Sequence, residues 1–360
     1  LTPNRRWTLA DFDYDLPPEL IAQRPTARRG ESRLLVVRRP HPRAVGRATR
    51  AAAPTATLTD LQFRDLASLI PPGDLVVLNT TRVRHARFLG TRPSGAPAEV
   101  LLVRPQGDGT WTALGTPGKA LRPGKRIRLG ADVFIETVSV LPDGMRVVRF
   151  VGCTAEEAMA TFGKLPLPPY ITRPADEHDE DRYQTVYADR EGSVAAPTAG
   201  LHFTPALLDT LRRNGVLLAT LDLEVGPGTF RPIETEDPAA HRMHAERYEI
   251  PEDLATAVDQ VRERKGHLWA VGTTVVRALE SAASPDGRLH SGAAETSLFI
   301  MPGYRFRVVD RLITNFHLPR STLLMLVAAF AGLDLIRTAY RHAVEQRYRF
   351  YSYGDAMAIL

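Results

Sequence analysis

His267-Leu-Trp-Ala-Val-Gly-Thr-Thr-Val-Val-Arg-Ala-Leu-Glu-Ser281 sets the fold class. Residues 267–271 form a short apolar run of strand length, and residues 275–281 carry helical spacing. Gly272-Thr273-Thr274 joins the two. A strand that turns directly into a helix is the unit of an α/β domain. The first amides of a helix lack partners and sit at its positive pole, so this turn is a candidate anion site. It is not a P-loop, because the Gly-Lys-Ser/Thr spacing is absent.

The pattern extends both ways. Residues 252–265 read as an amphipathic helix with Leu254, Ala257, Val258 and Val261 on one face, closed by Gly266. Thr204-Pro205 opens a helix over 205–213, Asn214-Gly215 ends it, and a strand over 216–223 follows. Residues 284–294 read as a polar loop, and 296–300, 306–310 and 312–314 as strands. Asn315-Phe-His-Leu-Pro-Arg-Ser-Thr322 is a loop before an all-apolar, buried helix over 323–331. An amphipathic helix over 335–344 comes next. The tail, 348–353, holds four aromatics that suit either base stacking or the core. Upstream, 33–37 is a strand, 20–25 a short helix stopped by Pro25, 40–56 a flexible loop and 59–69 a short helix.

Between residues 74 and 150 the character changes. Short β-rich runs at 75–78, 82–89, 99–103, 111–114, 126–129, 133–140 and 145–151 are separated by Pro/Gly turns. Such spacing predicts a small barrel or sandwich. A helix over 154–162 and an extended proline-rich stretch over 163–170 follow. The expected fold class is α/β (mixed), a main domain with an inserted small β-barrel domain. Residues 1–80 and 154–360 form the discontinuous main domain and residues 81–153 the insert.

Composition narrows the function classes. A chain of 360 residues with 44% hydrophobic content suits about two globular domains. The longest apolar run, 323–331, is far short of the roughly 20 residues of a membrane helix, so no membrane association is expected. Residues 1–7 carry no apolar run of a secretory signal. The single cysteine, Cys153, rules out an internal disulfide and a multi-cysteine zinc site, and fits a reducing cytoplasm. The net charge is +5, and only four of the 46 Lys and Arg residues are lysines. An arginine-rich chain suits a polyanionic partner such as RNA. An arginine-biased genome with a solvated surface explains the same numbers.

Several segments are candidates for chemistry. Gly192-Ser-Val-Ala-Ala-Pro-Thr-Ala-Gly-Leu-His-Phe-Thr204 is built of small residues that admit a ligand close to the backbone, and it presents His202 before a helix N-terminus. A buried packing loop is the bland reading of the same residues. Gly226-Pro-Gly-Thr-Phe230 is a tight turn after a strand. His241 and His244 share a face if helical and suit a metal only with a third ligand. The acidic run 176–181 with His178 reads as a solvated loop. No G-x-S-x-G, G-x-G-x-x-G or H-E-x-x-H pattern occurs.

The motifs together resemble one family nearly end to end. They include Leu20-Ile-Ala-Gln-Arg-Pro25, Gly73-Asp-Leu-Val-Val-Leu-Asn79, Pro166-Leu-Pro-Pro-Tyr-Ile171, Arg182-Tyr-Gln-Thr-Val-Tyr-Ala188 and Ser193-Val-Ala-Ala-Pro-Thr-Ala-Gly-Leu-His-Phe203. Val225-Gly-Pro-Gly-Thr-Phe230, Ala270-Val-Gly-Thr-Thr-Val-Val-Arg277, Leu312-Ile-Thr-Asn-Phe-His-Leu-Pro319 and Tyr348-Arg-Phe-Tyr-Ser-Tyr-Gly-Asp-Ala-Met357 complete the set. The chain resembles the S-adenosylmethionine:tRNA ribosyltransferase-isomerases of queuosine biosynthesis. The resemblance implies transfer and isomerisation of the ribosyl group of S-adenosylmethionine onto 7-aminomethyl-7-deazaguanine at a tRNA wobble position. Epoxyqueuosine-tRNA, adenine and methionine are the implied products. It also implies a monomer, no metal and no cofactor, since S-adenosylmethionine is consumed as a substrate. Two other classes remain open at this point, a non-catalytic RNA- or nucleoside-binding paralogue and a metal-dependent hydrolase using His241 and His244.

Site expectations follow from these motifs. His202, Glu224 and His317 are the catalytic candidates. Arg33, Asn79, Thr198, Gly200, Gly226, Gly228 and Thr229 are substrate-binding candidates, as are His244, Thr273, Thr274, Arg277, Asn315 and Asp355. The chain departs from the family pattern at Thr80, His85 and Asp222-Leu223-Glu224, where Glu224 replaces a usual His. Alternation puts Thr220, Asp222 and Glu224 on one strand face, so repulsion between the carboxylates is expected to raise one pKa and make Glu224 a base.

Overall fold

The computed structural model describes residues 6–40, 57–230, 233 and 235–360, with backbone alone at 229 and 230. The loop expected over 40–56 lies, beyond Pro40, outside the described residues.

In chain order the first strands are β1 (Arg33–Arg38), β2 (Thr57–Gln62), β3 (Leu75–Asn79) and β4 (Thr81–Val83). Six more follow: β5 (Arg87–Thr91), β6 (Pro97–Pro105), β7 (Thr110–Thr116), β8 (Arg126–Arg128), β9 (Phe134–Val140) and β10 (Arg146–Val151). Helices α1 (Ala155–Phe162) and α2 (Glu177–Arg182) precede β11 (Arg190–Ser193), α3 (Pro205–Arg213), β12 (Leu217–Leu223) and β13 (Glu246–Ile250). The chain continues as α4 (Glu252–Glu263), β14 (Leu268–Val271), α5 (Thr273–Ala282), β15 (Gly292–Thr296) and β16 (Arg311–Asn315). It finishes with α6 (Thr322–Ala331), α7 (Leu333–Glu345) and β17 (Ala356–Ile359).

A nine-stranded sheet runs β15-β13-β12-β3-β14-β16-β17-β1-β2. Its centre, β12-β3-β14-β16, is parallel. Strands β3, β14 and β17 are buried along their whole length, as strands covered on both faces must be. Leu75 and Val77 pack with α4, α5, α6 and α7, whereas Val76 and Leu78 pack with α3 and the 3-10 turn Phe63–Ser68. Asp74 anchors β14 from below, accepting from His267 N at 2.9 Å and Trp269 Nε1 at 2.8 Å. The mixed α/β class is thus present in the main sheet. Among the described residues no single helix is long and apolar enough to cross a membrane.

Strands β5 to β10 bond in a closed ring, in the order β10-β7-β6-β5-β8-β9. Phe88, Val100, Leu102, Trp111, Ile127, Ile135 and Val148 fill it, and α1 packs Ala155 and Ala158 on the same cluster. Cys153 packs half-buried beside it, and burial pushes its thiol up. Two early runs fall outside the ring. Leu75–Asn79 joins the main sheet, and Thr81–Val83 pairs only with β11.

Five local expectations are corrected. Residues 20–25 are not helical beyond the 3-10 turn Pro18–Leu20, because Phe350 N donates to Leu20 O at 2.8 Å and Ala22 N to Phe350 O at 3.2 Å. Residues 59–69 split into edge strand β2 along β1 and a 3-10 turn that Asp65 starts by accepting from Gln62 N at 3.0 Å. Residues 306–310 form no strand, since the buried Glu280 carboxylate takes the amides of Arg307, Val308 and Val309 at 2.9, 3.0 and 3.0 Å. The strand expected over 296–300 instead ends at Thr296, whose hydroxyl accepts from Leu298 N, and it begins inside the expected loop. The acidic run folds as α2 rather than as a loop. Its Asp179 is buried against Arg173 (2.6 and 2.8 Å) and the Tyr353 hydroxyl (2.7 Å). Burial opposes its ionisation, yet Arg173, the Asp176 amide and Tyr353 hold its carboxyl down at about 2.

Candidate active site

The central parallel strands place their carboxyl ends along one edge of the sheet. Just beyond that edge lies a cavity of about 630 Å³, counting space open to solvent. Ligands of open α/β sheets bind at this edge. The residues after β12, β14 and β16 reach it through Val225, Gly272–Thr274 and Asn315–Leu318. The small-residue stretch supplies Ala196 to Ala199, and Tyr170, Tyr351 and Ser352 close the wall. Among the described residues no Lys, Arg, Asp or Glu lines the cavity.

Two helix starts were candidate anion sites, and they differ. The N-terminus of α3 is capped: Thr204 Oγ1 accepts from Leu207 N at 3.1 Å. The N-terminus of α5 has no side-chain cap, and its N-cap Gly272 takes φ +95, open to glycine but strained for other residues. A Cβ added at 272 would lie 3.5 Å from Thr274 Oγ1 and 3.6 Å from the Ala199 methyl. Thr274 Oγ1 is itself buried without a hydrogen-bond partner, and so is Asn315 Oδ1. Buried polar atoms left unpaired are costly, so two on one cavity wall mark a place for ligand atoms.

His202 sits behind the cavity wall rather than in it. Its ring stacks on Phe63 at 4.9 Å, and both nitrogens have protein partners, Nδ1 with Ser32 Oγ at 2.7 Å and Nε2 with Asn315 Nδ2 at 3.1 Å. Burial pushes its pKa down to about 3, against the Asn315 hydrogen bond, so the ring is neutral. His317 does line the cavity. Its Nε2 is 2.9 Å from Thr314 Oγ1, and burial lowers its pKa to about 3 as well.

The structure gathers Thr198, Thr273, Thr274, Asn315 and His317 on the cavity. A second group flanks it. Gly226 N donates to Glu246 Oε1 at 3.0 Å, and Glu246 pairs with Arg277, whose Nε donates to Leu298 O at 3.0 Å. Gly228 packs on His244, where a Cβ would come within 2.8 Å of the ring. Thr229 lies in the 3-10 turn Pro227–Phe230, and its side chain is outside the described residues. Gly200 lies under the Tyr187 hydroxyl in the turn Thr198–His202.

Other expected residues serve the scaffold. Arg33 donates from its backbone to Asp355 Oδ1 at 2.8 Å and from its guanidinium to the Gln346 and Arg347 carbonyls. Asp355 also accepts from Arg349 N at 2.8 Å. Asn79 clamps β12, accepting from Leu223 N and donating to Leu223 O. Glu224 packs over Gly192, on the strand face opposite Leu223 and Val225. On that face the Asp222 carboxyl is raised, to about 6. Burial raises it, Arg190 opposes, and Glu224 and Glu249 add to it. His241 and His244 lie in an irregular segment, so the shared helical face is absent, and His241 packs against Phe299. Among the described residues no group of three His, Cys, Asp or Glu side chains is placed to hold a metal.

Sequence reasoning missed Tyr170, Phe316, Ser321, Tyr351 and Ser352 as cavity residues. The tail aromatics are core, as one reading had it, but Tyr351 also faces the cavity at φ +70, and Tyr170 OH is 2.6 Å from Ser352 Oγ. No spacing signals this, because two segments 182 residues apart build the wall.

Comparison with known proteins adds a second line. A family model described as queuosine biosynthesis protein matches residues 9–359. The chain is 52% identical over 352 residues to the S-adenosylmethionine:tRNA ribosyltransferase-isomerase of Cupriavidus pinatubonensis, covering 98% of this chain and 99% of that one. It is 53% identical over 350 residues to the protein of that name from Ralstonia nicotianae, covering 97% and 94%. The crystal structure of S-adenosylmethionine tRNA ribosyltransferase from Thermotoga maritima is similar with a TM-score of 0.54 at 36% identity, covering 97% of this chain and all of that one.

Proposed function

The chain belongs to the queuosine biosynthesis protein family, and from that membership we propose that it is an S-adenosylmethionine:tRNA ribosyltransferase-isomerase. The ribosyl group of S-adenosylmethionine goes to 7-aminomethyl-7-deazaguanine at the tRNA wobble position, with release of adenine and methionine. One observation of the structure carries this reading, the uncharged cavity at the carboxyl edge of the parallel strands, beside the open end of α5.

The chemistry suits such a site. The sulfonium acidifies the neighbouring 5′ carbon, so a positioned base removes a proton there. Ring opening and loss of adenine follow, and the amine of the modified base captures the ribosyl skeleton. His317 is the imidazole on the cavity and is the proton acceptor by position, although burial disfavours its charged form. The α5 turn, with Thr273 and Thr274, binds an anionic group, and Thr198 and Asn315 orient the substrate. His202 acts through Asn315, and the Gly226–Glu246–Arg277 group holds the flank where Gly228, Thr229 and His244 meet tRNA. The leaving sulfonium drives the reaction, so no metal or resident cofactor is called for. The tRNA substrate and lone cysteine suit the cytoplasm.

The β-rich insert is read as a unit docked on the α/β domain, with the tRNA in the cleft between them. The separate ring core supports this, as does the Arg104–Glu295 ion pair (2.7 Å) linking the ring to edge strand β15. The test is adenine release from S-adenosylmethionine by the purified chain, with tRNA bearing the aminomethyl base, with unmodified tRNA or with no tRNA. Release only with the modified tRNA is expected. No release in any arm makes the chain a binding paralogue, and release without tRNA makes it a hydrolase.

A further inference from the structure

Asn315 and Thr274 pose a question that the overall reaction does not answer. Asn315 is 2% exposed, and its amide nitrogen is used twice, donating to His202 Nε2 at 3.1 Å and to the Tyr351 carbonyl at 2.9 Å. The carbonyl fixes which way the amide faces, because an oxygen in place of Nδ2 would meet another acceptor. Tyr351 holds that carbonyl with a φ of +70, a region uncommon for a bulky residue. With Nδ2 donating, His202 Nε2 accepts, so Nδ1 carries the hydrogen and donates to Ser32 Oγ. Ser32, His202 and Tyr351 therefore leave Asn315 Oδ1 as an unpaired acceptor on the cavity wall.

Thr274 is 8% exposed, and its hydroxyl is likewise unpaired, beside Gly272 at the uncapped start of α5. The first amides of that ten-residue helix are donors without helical partners. The cavity wall thus offers both donors at a positive pole and a bare acceptor. Among the described residues the wall carries no formal charge. A tRNA phosphate in such a place lacks the Arg or Lys that burying it calls for. A paired anion and cation, close together and neutral in sum, match the wall instead.

We propose that this part of the cavity binds the amino-acid end of S-adenosylmethionine, with the α-carboxylate on the α5 amides and Thr274 Oγ1 and the α-ammonium on Asn315 Oδ1. The assignment rests on the reading that the cavity takes S-adenosylmethionine. It leaves the sulfonium to the rings of Tyr170, Phe316 and Tyr351, which attract a cation at their faces. His202 is a positioning residue that sets the Asn315 amide.

The experiment compares calorimetric affinities of the full chain for S-adenosylmethionine, its decarboxylated analogue and its deaminated analogue. Wild type is expected to bind each analogue at least tenfold more weakly than the parent. In Thr274→Val the preference for the carboxylate shrinks, and in Asn315→Leu the preference for the ammonium disappears. His202→Ala loses the ammonium preference and keeps the carboxylate preference, a split that a merely structural role would not produce. Wild type binding all three compounds within twofold overturns the proposal, as do variants that keep both preferences. If Asn315→Leu does not fold, the wild-type series and His202→Ala decide. A chain that turns over modified tRNA yet fails these comparisons loses this inference alone, whereas a chain that consumes no S-adenosylmethionine loses the functional reading.

Discussion

At the scale of single residues, burial decides which titratable groups matter. His202 and His317 are similar in sequence terms, each in a loop before a helix. Only His317 reaches the cavity, and the carboxylate expected to act as base, Glu224, lies over Gly192 on the other strand face. His317→Ala is therefore expected to lower kcat by at least a hundredfold, on the scale of general acid–base catalysis. Glu224→Gln should stay within about threefold of wild type with the same pH profile. Single-turnover adenine release measures both, and the reverse ranking would return the base role to Glu224. Asp222 gives a pH test. Its carboxyl is raised from 3.8 to about 6, so between those values the folded chain holds a proton that the unfolded chain has lost. Its contribution to stability is present below about pH 4 and is lost as pH rises through 6. Asp222→Asn should therefore melt higher than wild type at pH 7.5, with the difference closing at pH 4. Equal melting temperatures at both pH values would contradict the raised pKa.

Among the elements, the side-chain-capped helices were legible, whereas the short helices near the N-terminus, α2 and several strands were not, for a physical reason. Helices α1, α3 and α6 announce themselves by local capping: Thr154, Thr204 and Ser321 each accept from the third helical amide. A strand has no such local signature. Strand β17 is a short run of Ala, Met and Ile, and β13 is half polar, yet neighbours distant in sequence pair both into the sheet. The misread segment 306–310 shows the limit most clearly, since Glu280 on α5 competes for its amides. The site divides along the same line. The Gly272-Thr273-Thr274 turn was legible because strand, turn and helix are contiguous, whereas the Asn315–His202–Ser32 relay joins three distant segments. Removing Glu280 leaves three buried or half-buried amides unpaired. Glu280→Ala is expected to lower unfolding free energy by about 3 kcal/mol or more, in line with lost hydrogen bonds to a charged group. Urea denaturation measures it, and a loss under 1 kcal/mol would mean that the 306–310 segment is held otherwise.

Across the whole molecule, one sheet and one ring divide the work. The sheet brings the ends of β12, β14 and β16 to the cavity, and β5 to β10 close a ring around its own apolar cluster. Recurring short β runs between Pro/Gly turns signalled the strands of the ring, but not that α1 would pack on its core. The arginine-rich composition fits a tRNA partner, and among the described residues no charged side chain lines the cavity. The central claim is that this cavity receives S-adenosylmethionine and passes its ribosyl group to tRNA. Thr198 lines the cavity and is half-buried, so Thr198→Trp plugs it from the wall. The deciding measurement is transfer of label from ribose-labelled S-adenosylmethionine to modified tRNA, followed by mass analysis of the nucleoside. The account predicts labelled nucleoside from wild type and none from Thr198→Trp that melts as wild type does. Transfer at the wild-type rate by the plugged variant would contradict it.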